Sequence, residues 1–258
     1  MNRINQLFAD KNKDILSIYF TAGHPEPDAT PQLLEILQES GVKMIEIGMP
    51  FSDPLADGPV IQQSAQKALA NGMNLDMLFK QLKDIRKAVH IPLLLMGYLN
   101  PVMYYGVENF CRKCSEVGID GVILPDLPME EYEAEYKPVF EKYNLKFIFL
   151  ISPQTSDERI RKIDSLSNGF IYMVSSSATT GAKGSISEQQ KDYFKRVTSL
   201  KLKNPLVVGF GISNRDSFNE VCRFANGAII GSAFVRMLEE KNDWRNGAKE
   251  FVKEILGV

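Results

Sequence analysis

Eight short, apolar, β-rich runs alternate with longer amphipathic stretches along 258 residues, and no low-complexity linker divides them. Alternating β and α segments imply a parallel sheet, and eight repeats imply its closure into one (β/α)8 barrel of the TIM type, an α/β domain spanning residues 1–258 with extra N-terminal and C-terminal helices. The alternative is an open doubly wound sheet. It usually has fewer strands and a glycine fingerprint after the first, which "FTAGHPEPD" (20–28) lacks.

The elements follow in order. "NRINQLFADK" (2–11) is a helix ahead of the barrel, "ILSIYFT" (15–21) the first strand and "DATPQLLEILQES" (28–40) its helix. "KMIEIG" (43–48) and "PLLLMG" (92–97) are the second and third strands, followed by the helix "GVENFCRKCSEVG" (106–118). "DGVILP" (120–125) is the fourth strand, "EEYEAEYKPVFEKY" (130–143) a helix and "LKFIFLIS" (145–152) the fifth strand. "GFIYMV" (169–174), "PLVVGF" (205–210) and "GAIIG" (227–231) complete the strands, and "WRNGAKEFVKEIL" (244–256) is a closing helix. Both terminal helices suit lids or plugs. Most strand-to-strand steps are about 21–28 residues, near a minimal βα unit. The steps after the second and sixth strands are longer, with the surplus in "MPFSDPLADG" and "SSSATTGAKGSISEQQ". Loops that follow strands lie on the C-terminal face, where barrel enzymes keep their chemistry.

Composition excludes several classes. Hydrophobic residues make up 44% and charged residues 24%, the profile of a soluble globular enzyme or binding protein, and a core this large needs no disulfide or metal. A net charge of -2 gives no basic footprint for nucleic acid. No apolar run reaches the about 18 residues of a membrane span. The N-terminus has no apolar signal segment, and three cysteines fit a reducing cytoplasm. Cys111 and Cys114 have CxxC spacing inside a helical pattern, without a second pair, and read as packing.

Two strand ends carry a phosphate signature. Gly209 and Gly211 follow the seventh strand, Gly231 and Ser232 the eighth, and Gly181 lies in the long loop after the sixth. Glycine lets backbone approach a ligand, helix N-termini present free N–H groups, and barrel phosphate sites recur after strands seven and eight. Ordinary tight turns are the plainer reading.

Two carboxylates suggest chemistry. Strand alternation turns Met44, Glu46 and Gly48 to the barrel interior and Ile45 and Ile47 to the helices. Glu46 is then either a structural glutamate satisfied locally or a proton donor and acceptor with a raised pKa. Asp57, before Gly58 and Pro59, is either a helix-start carboxylate or part of the site. Asp53 reads as a turn former, and Asp126 as a residue that opens a helix on the active face. Lys43 and Lys146 sit at strand starts, so no Schiff-base lysine is offered, and two scattered histidines give no metal cluster. Carboxylate acid–base catalysis on a phosphorylated substrate remains.

The block "IEIGMPFSDPLADGP" (45–59) with "IQQSAQKALANG" (61–72), then "YLNPV" (98–102), "DGVILPDLP" (120–128), "YMVSSSATTGAKG" (172–184), "GFGIS" (209–213) and "GSAFV" (231–235), resembles the tryptophan synthase alpha subunit family over the whole chain. The resemblance implies cleavage of indole-3-glycerol phosphate to indole and glyceraldehyde 3-phosphate. It implies no cofactor or metal in this chain, a β subunit that carries pyridoxal phosphate, an α2β2 heterotetramer and a cytoplasmic location. By motif, Glu46 matches the catalytic acid–base and Asp57 the carboxylate at the indole N–H. Gly181, Gly211, Gly231 and Ser232 match the phosphate site. Tyr172 and Thr180 match supports of the catalytic pair, and Tyr19 and Tyr98 line the indole pocket. Asp53 and Asp126 fall at the contact with the β subunit. Ala178-Thr179-Thr180-Gly181 stands where the family has Gly-Val-Thr-Gly. Other readings are a phosphosugar isomerase barrel and a catalytically weak regulatory subunit.

Overall fold

The structure is a computed structural model that describes residues 1–174, 186–209 and 211–258. Its strands are β1 (Ile15–Thr21), β2 (Met44–Gly48), β3 (Leu93–Met96), β4 (Gly121–Ile123), β5 (Lys146–Phe147), β6 (Phe149–Ile151), β7 (Ile171–Val174), β8 (Leu206–Gly209) and β9 (Gly227–Ile230). All pairings are parallel, in the order β5-β4-β3-β2-β1-β9-β8-β7-β6. β5 and β6 stand at the two ends of that order, and one residue, Ile148, joins them. The chain itself therefore closes the barrel.

That closure divides the fifth expected strand, 145–152. Its first half pairs with β4 and its second with β7, so the ladder breaks where the partner changes. The side-chain alternation continues across the break. Phe147, Phe149 and Ile151 pack under the helices, while Ile148 joins the barrel interior. The same alternation sorts β1: Leu16, Ile18 and Phe20 face the helices, and Ile15 and Tyr19 face inward.

The helices are α1 (Arg3–Asp10), α2 (Ala29–Glu39), α3 (Pro59–Ala70), α4 (Leu75–Leu82), α5 (Leu99–Tyr105), α6 (Val107–Val117), α7 (Met129–Glu131), α8 (Lys137–Lys142), α9 (Asp157–Leu166), α10 (Glu188–Ser199), α11 (Arg215–Val221), α12 (Ser232–Glu240) and α13 (Trp244–Leu256). Two were not anticipated. α4 takes up part of the long step after β2, which is therefore not all loop. α5 is only one to two turns, too short for a periodic signal, and it ends at Gly106, whose φ of 85° breaks the chain before α6. The expected helix 130–143 contains a π turn over Tyr132–Tyr136, just before Pro138. Proline has no N–H for the carbonyl four residues back, which loosens the ladder there. Cys111 and Cys114 are fully buried free thiols on the inner face of α6, as packing residues.

α1 plugs the N-terminal end of the barrel. Asn2 caps it, accepting from the Ile4 N–H, and its amide donates to the carbonyls of Asp120 (2.8 Å) and Asn144 (2.9 Å). Ile4 and Phe8 enter the interior cluster with Ile15, Met44 and Phe170. α13, by contrast, is no plug. It lies on the flank against α2, α11 and α12. At the plugged end Asp120, 3% exposed, receives Arg86 at 2.6 Å, Arg3 at 3.0 Å and the Leu93 N–H at 3.0 Å. Arg86 also donates to the carbonyls of Gly118 and Ile91.

Removing the acid would leave Arg86 half-enclosed without its counter-ion, and broken buried pairs cost about 3–5 kcal/mol. Asp120→Ala should therefore lose about 3 kcal/mol of stability in urea unfolding; a loss below about 0.5 kcal/mol would make the pair incidental.

Candidate active site

β2 lies between β1 and β3, with Glu46 in register with Tyr19 and Leu94. The side chain points into the barrel, is 0% exposed, and neither carboxyl oxygen has a hydrogen-bond partner among the described residues. A carboxylate there would lose its hydration with nothing in return, so the neutral acid is favoured. Burial pushes the Glu46 pKa up to about 8.

Two tyrosines stand beside it. Tyr19 comes from β1 and Tyr172 from β7, and each leans over a glycine of the next strand. A Cβ on Gly48 would meet the Tyr19 hydroxyl at 2.2 Å, and one on Gly209 would meet that of Tyr172 at 2.0 Å. Gly209 thus leaves room for a tyrosine of the neighbouring strand. Burial, with the nearby Asp57 and Glu46 carboxyls adding to it, raises the pKa of Tyr19. Burial followed by Glu46 and Asp57 does the same for Tyr172, so both remain phenols. On the same strand as Tyr19, the Thr21 hydroxyl oxygen lies 2.6 Å from Ser64 Oγ, and Ser64 in turn donates to the Ile61 carbonyl.

Asp57 ends the loop 49–58 between β2 and α3. Its N–H donates to the Pro54 carbonyl, and Gln62 holds its own carbonyl at 2.9 Å. Gly58 is the helix cap and Pro59 the first helical residue, so Asp57 does not cap α3. Its carboxylate instead accepts from the Tyr98 hydroxyl at 3.1 Å, and that oxygen accepts from the Ala56 N–H at 2.9 Å. Phe51 packs on the Tyr98 ring at 5.3 Å between centroids. Burial raises the half-buried Asp57 to about 6, and the Tyr98 hydrogen bond restrains the rise. Near neutral pH the two acids therefore differ: Glu46 holds its proton and Asp57 has lost it.

A pocket opens beside Asp57. Tyr19, Tyr98, Asp57, Phe51, Met96 and Pro125 form much of its wall. Glu46 does not line it, but Tyr19, its neighbour in register, does. On the far side β8 pairs with β9, so the turns after them emerge together. Gly211 has φ 78°, which strains any other residue. Gly231 is the N-cap of α12 with no side-chain cap, Ser232 opens that helix, and the Tyr19 ring packs against Gly231. Thr180, Gly181 and the Ala178-Thr179 variation lie outside the described residues.

Asp126 is exposed and does not open its own helix, which starts at Met129. Both its oxygens accept from the Leu99 N–H at 3.0 Å, so it caps α5 from the neighbouring loop. Asp53 is exposed and accepts from Ser52. Around them Leu55 and Tyr104 are 93% and 95% exposed, and Met103 is largely so. Sequence reasoning missed Phe51, Thr21 and Ser64. Of these Phe51 and Ser64 lie inside the motif blocks 45–59 and 61–72, which was a usable signal, whereas Thr21 carried none.

The family described as tryptophan synthase alpha chain matches residues 6–256. The tryptophan synthase alpha chain of Bacteroides thetaiotaomicron is 58% identical over 243 residues, 94% of this chain and 95% of that one. The solved alpha subunit of Legionella pneumophila tryptophan synthase superposes with a TM-score of 0.88 at 37% identity, covering 99% of this chain and 97% of that one. A chain of the tryptophan synthase complex from Pyrococcus furiosus gives 0.87 at 36%, covering 95% and 99%.

The raised Glu46 pKa has a stability consequence. Between about 4.3, where an unfolded glutamate ionises, and the native value, the unfolded chain releases a proton that the folded chain keeps. Stability therefore falls as pH rises through that window and levels off above about 8. Glu46→Gln lacks this term, so its stability relative to the parent should climb from pH 4.5 to 8 in urea unfolding. A difference that stays flat with pH would mean an ordinary Glu46.

Proposed function

Because the chain belongs to the tryptophan synthase alpha chain family, a lyase family that cleaves indole-3-glycerol phosphate to indole and glyceraldehyde 3-phosphate, we propose that Glu46 and Asp57 carry that reaction here. One observation carries the assignment: a fully buried glutamic acid, with no hydrogen-bond partner among the described residues, stands near a half-buried aspartate that is ionised at neutral pH.

The chemistry needs both states. Indole is a poor carbon leaving group until its C3 is protonated, which places positive charge on the ring nitrogen. Neutral Glu46 supplies that proton. The Glu46 carboxylate then takes the proton of the hydroxyl on the adjacent side-chain carbon. The carbonyl of glyceraldehyde 3-phosphate forms, the bond to C3 breaks, and its electron pair restores the indole. Glu46 ends as it began, as the acid. Asp57 faces the ring N–H and stabilises the charge while it exists. Tyr98 keeps the Asp57 carboxylate oriented, and Tyr19 and Phe51 enclose the ring. Tyr172 holds the apolar neighbourhood of Glu46 as a neutral donor. Gly211, Gly231 and Ser232 offer backbone N–H groups to the phosphate, with the α12 N-terminus behind them; by resemblance Thr180 and Gly181 complete that end. Both carboxylates are in place, which speaks against a binding-only subunit, and family membership against a sugar-phosphate isomerase.

We also infer assembly with a β subunit in an α2β2 heterotetramer, with pyridoxal phosphate in the β subunit and none in this chain. The exposed apolar residues Leu55, Met103 and Tyr104, beside Asp53 and Asp126 on the C-terminal face, support docking there. Among the described residues no helix is long and apolar enough to cross a membrane. A cytoplasmic location fits the three free thiols.

Glu46→Gln should abolish indole release while substrate binding survives, and Asp57→Asn should lower kcat about 100-fold, the scale of one lost transition-state contact. An effect on KM alone for Asp57→Asn would make it a plain binding group. Gly231→Asp, which sets bulk and negative charge at the α12 N-terminus, should abolish inhibition by glycerol phosphate; unchanged inhibition moves the phosphate elsewhere. Asp126→Ala frees the α5 N-terminus, and should blunt stimulation of indole release in a β-subunit titration while the isolated chain keeps its own rate. Identical titration curves would remove Asp126 from the coupling.

A further inference from the structure

The two ends of the proposed site ride on two helices. α3 starts two residues after Asp57, and α12 starts at Ser232 beside Gly231. The helices pack against each other, and their last turns converge on one carboxylate, Glu239. Glu239 Oε1 accepts from Lys67 Nζ of α3 at 2.7 Å. The same oxygen lies 3.7 Å from His24 Nε2, in the loop that follows β1. His24 is 3% exposed, and its Nε2 has no hydrogen-bond partner among the described residues. Glu239 is 23% exposed, so it faces the packed junction more than water. One acid thus meets the helix behind Asp57, the helix behind the phosphate turn, and the loop of the strand that supplies Tyr19.

We propose that Glu239 is a positioning residue that holds α12 against α3 and so sets the spacing between the phosphate end and the indole end of the site. This rests on the assignment of those two ends given above. A substrate that engages both ends at once is sensitive to their separation, because small misplacements of reacting groups cost rate. A ligand that engages only one end is not. The stabilising worth of such a partly exposed pair is small, so its removal should leave the fold intact.

The test uses the full chain and three ligands: indole-3-glycerol phosphate, glycerol phosphate and indole. Glu239→Ala should lower kcat/KM for the whole substrate about fivefold, the scale of one partly exposed ion pair. Inhibition constants for glycerol phosphate and for indole, each measured alone, should stay within about twofold. Glu239→Gln keeps an oxygen for Lys67 and should recover part of the loss. The exposed Lys67→Ala breaks the same clamp without burying anything. It should lower kcat/KM in the same direction, and the double variant should be no worse than Glu239→Ala alone. Unchanged kcat/KM, parallel weakening of both half-ligands, or additive effects of the two substitutions would each overturn the proposal. Failure of the underlying site assignment looks different: glycerol phosphate inhibition would then be indifferent to Gly231→Asp, whatever Glu239 does.

Discussion

The site depends on one carboxyl group kept out of water with no counter-charge among the described residues. Glu46 sits on the inward face of a central strand, and the barrel around it supplies hydrocarbon and phenols but no cation and no hydrogen-bond partner among the described residues. Ionising it would strand a charge in a medium that cannot solvate it. The neutral acid is therefore the resting form at pH 7. Much of the surrounding structure serves that condition: the plug of Ile4 and Phe8 at one end of the barrel, and tyrosines leaning over glycines of neighbouring strands at the other.

The second carboxylate shows how strongly the setting decides. Asp57 lies in the loop between β2 and α3, and a hydroxyl donor already serves it. Its pKa rises only to about 6, against about 8 for Glu46. The window in which one is an acid and the other an anion spans neutral pH. The proposed roles of proton donor and charge stabiliser need that separation, and depth and one tyrosine supply it.

Most of the fold was legible because strand and helix repeats have different periods and the loops between them are punctuated by glycine and proline. The break at Ile148 was not, since it is an event in pairing and not in side-chain pattern. α5 was not, because seven residues carry too little periodicity. The inward turn of Glu46 followed from simple alternation along "KMIEIG". The reason for Gly48 and Gly209 did not, since each answers a tyrosine on another strand. Asp126 does not open its own helix, and its partner is the Leu99 N–H, a contact across loops that no local spacing encodes. Roles for the site residues came from family resemblance; the geometry adds the contrast in protonation that makes those roles workable.

The protonation state of Glu46, on which the site depends, can be read directly. Side-chain carboxyl carbons of a glutamate-labelled sample, followed by NMR from pH 4 to 10 and assigned with Glu46→Gln, report each titration separately. One glutamate should titrate near 8, and its resonance should vanish in the variant. If every glutamate, Glu46 included, titrates in the ordinary range around 4.3, the neutral-acid account is contradicted.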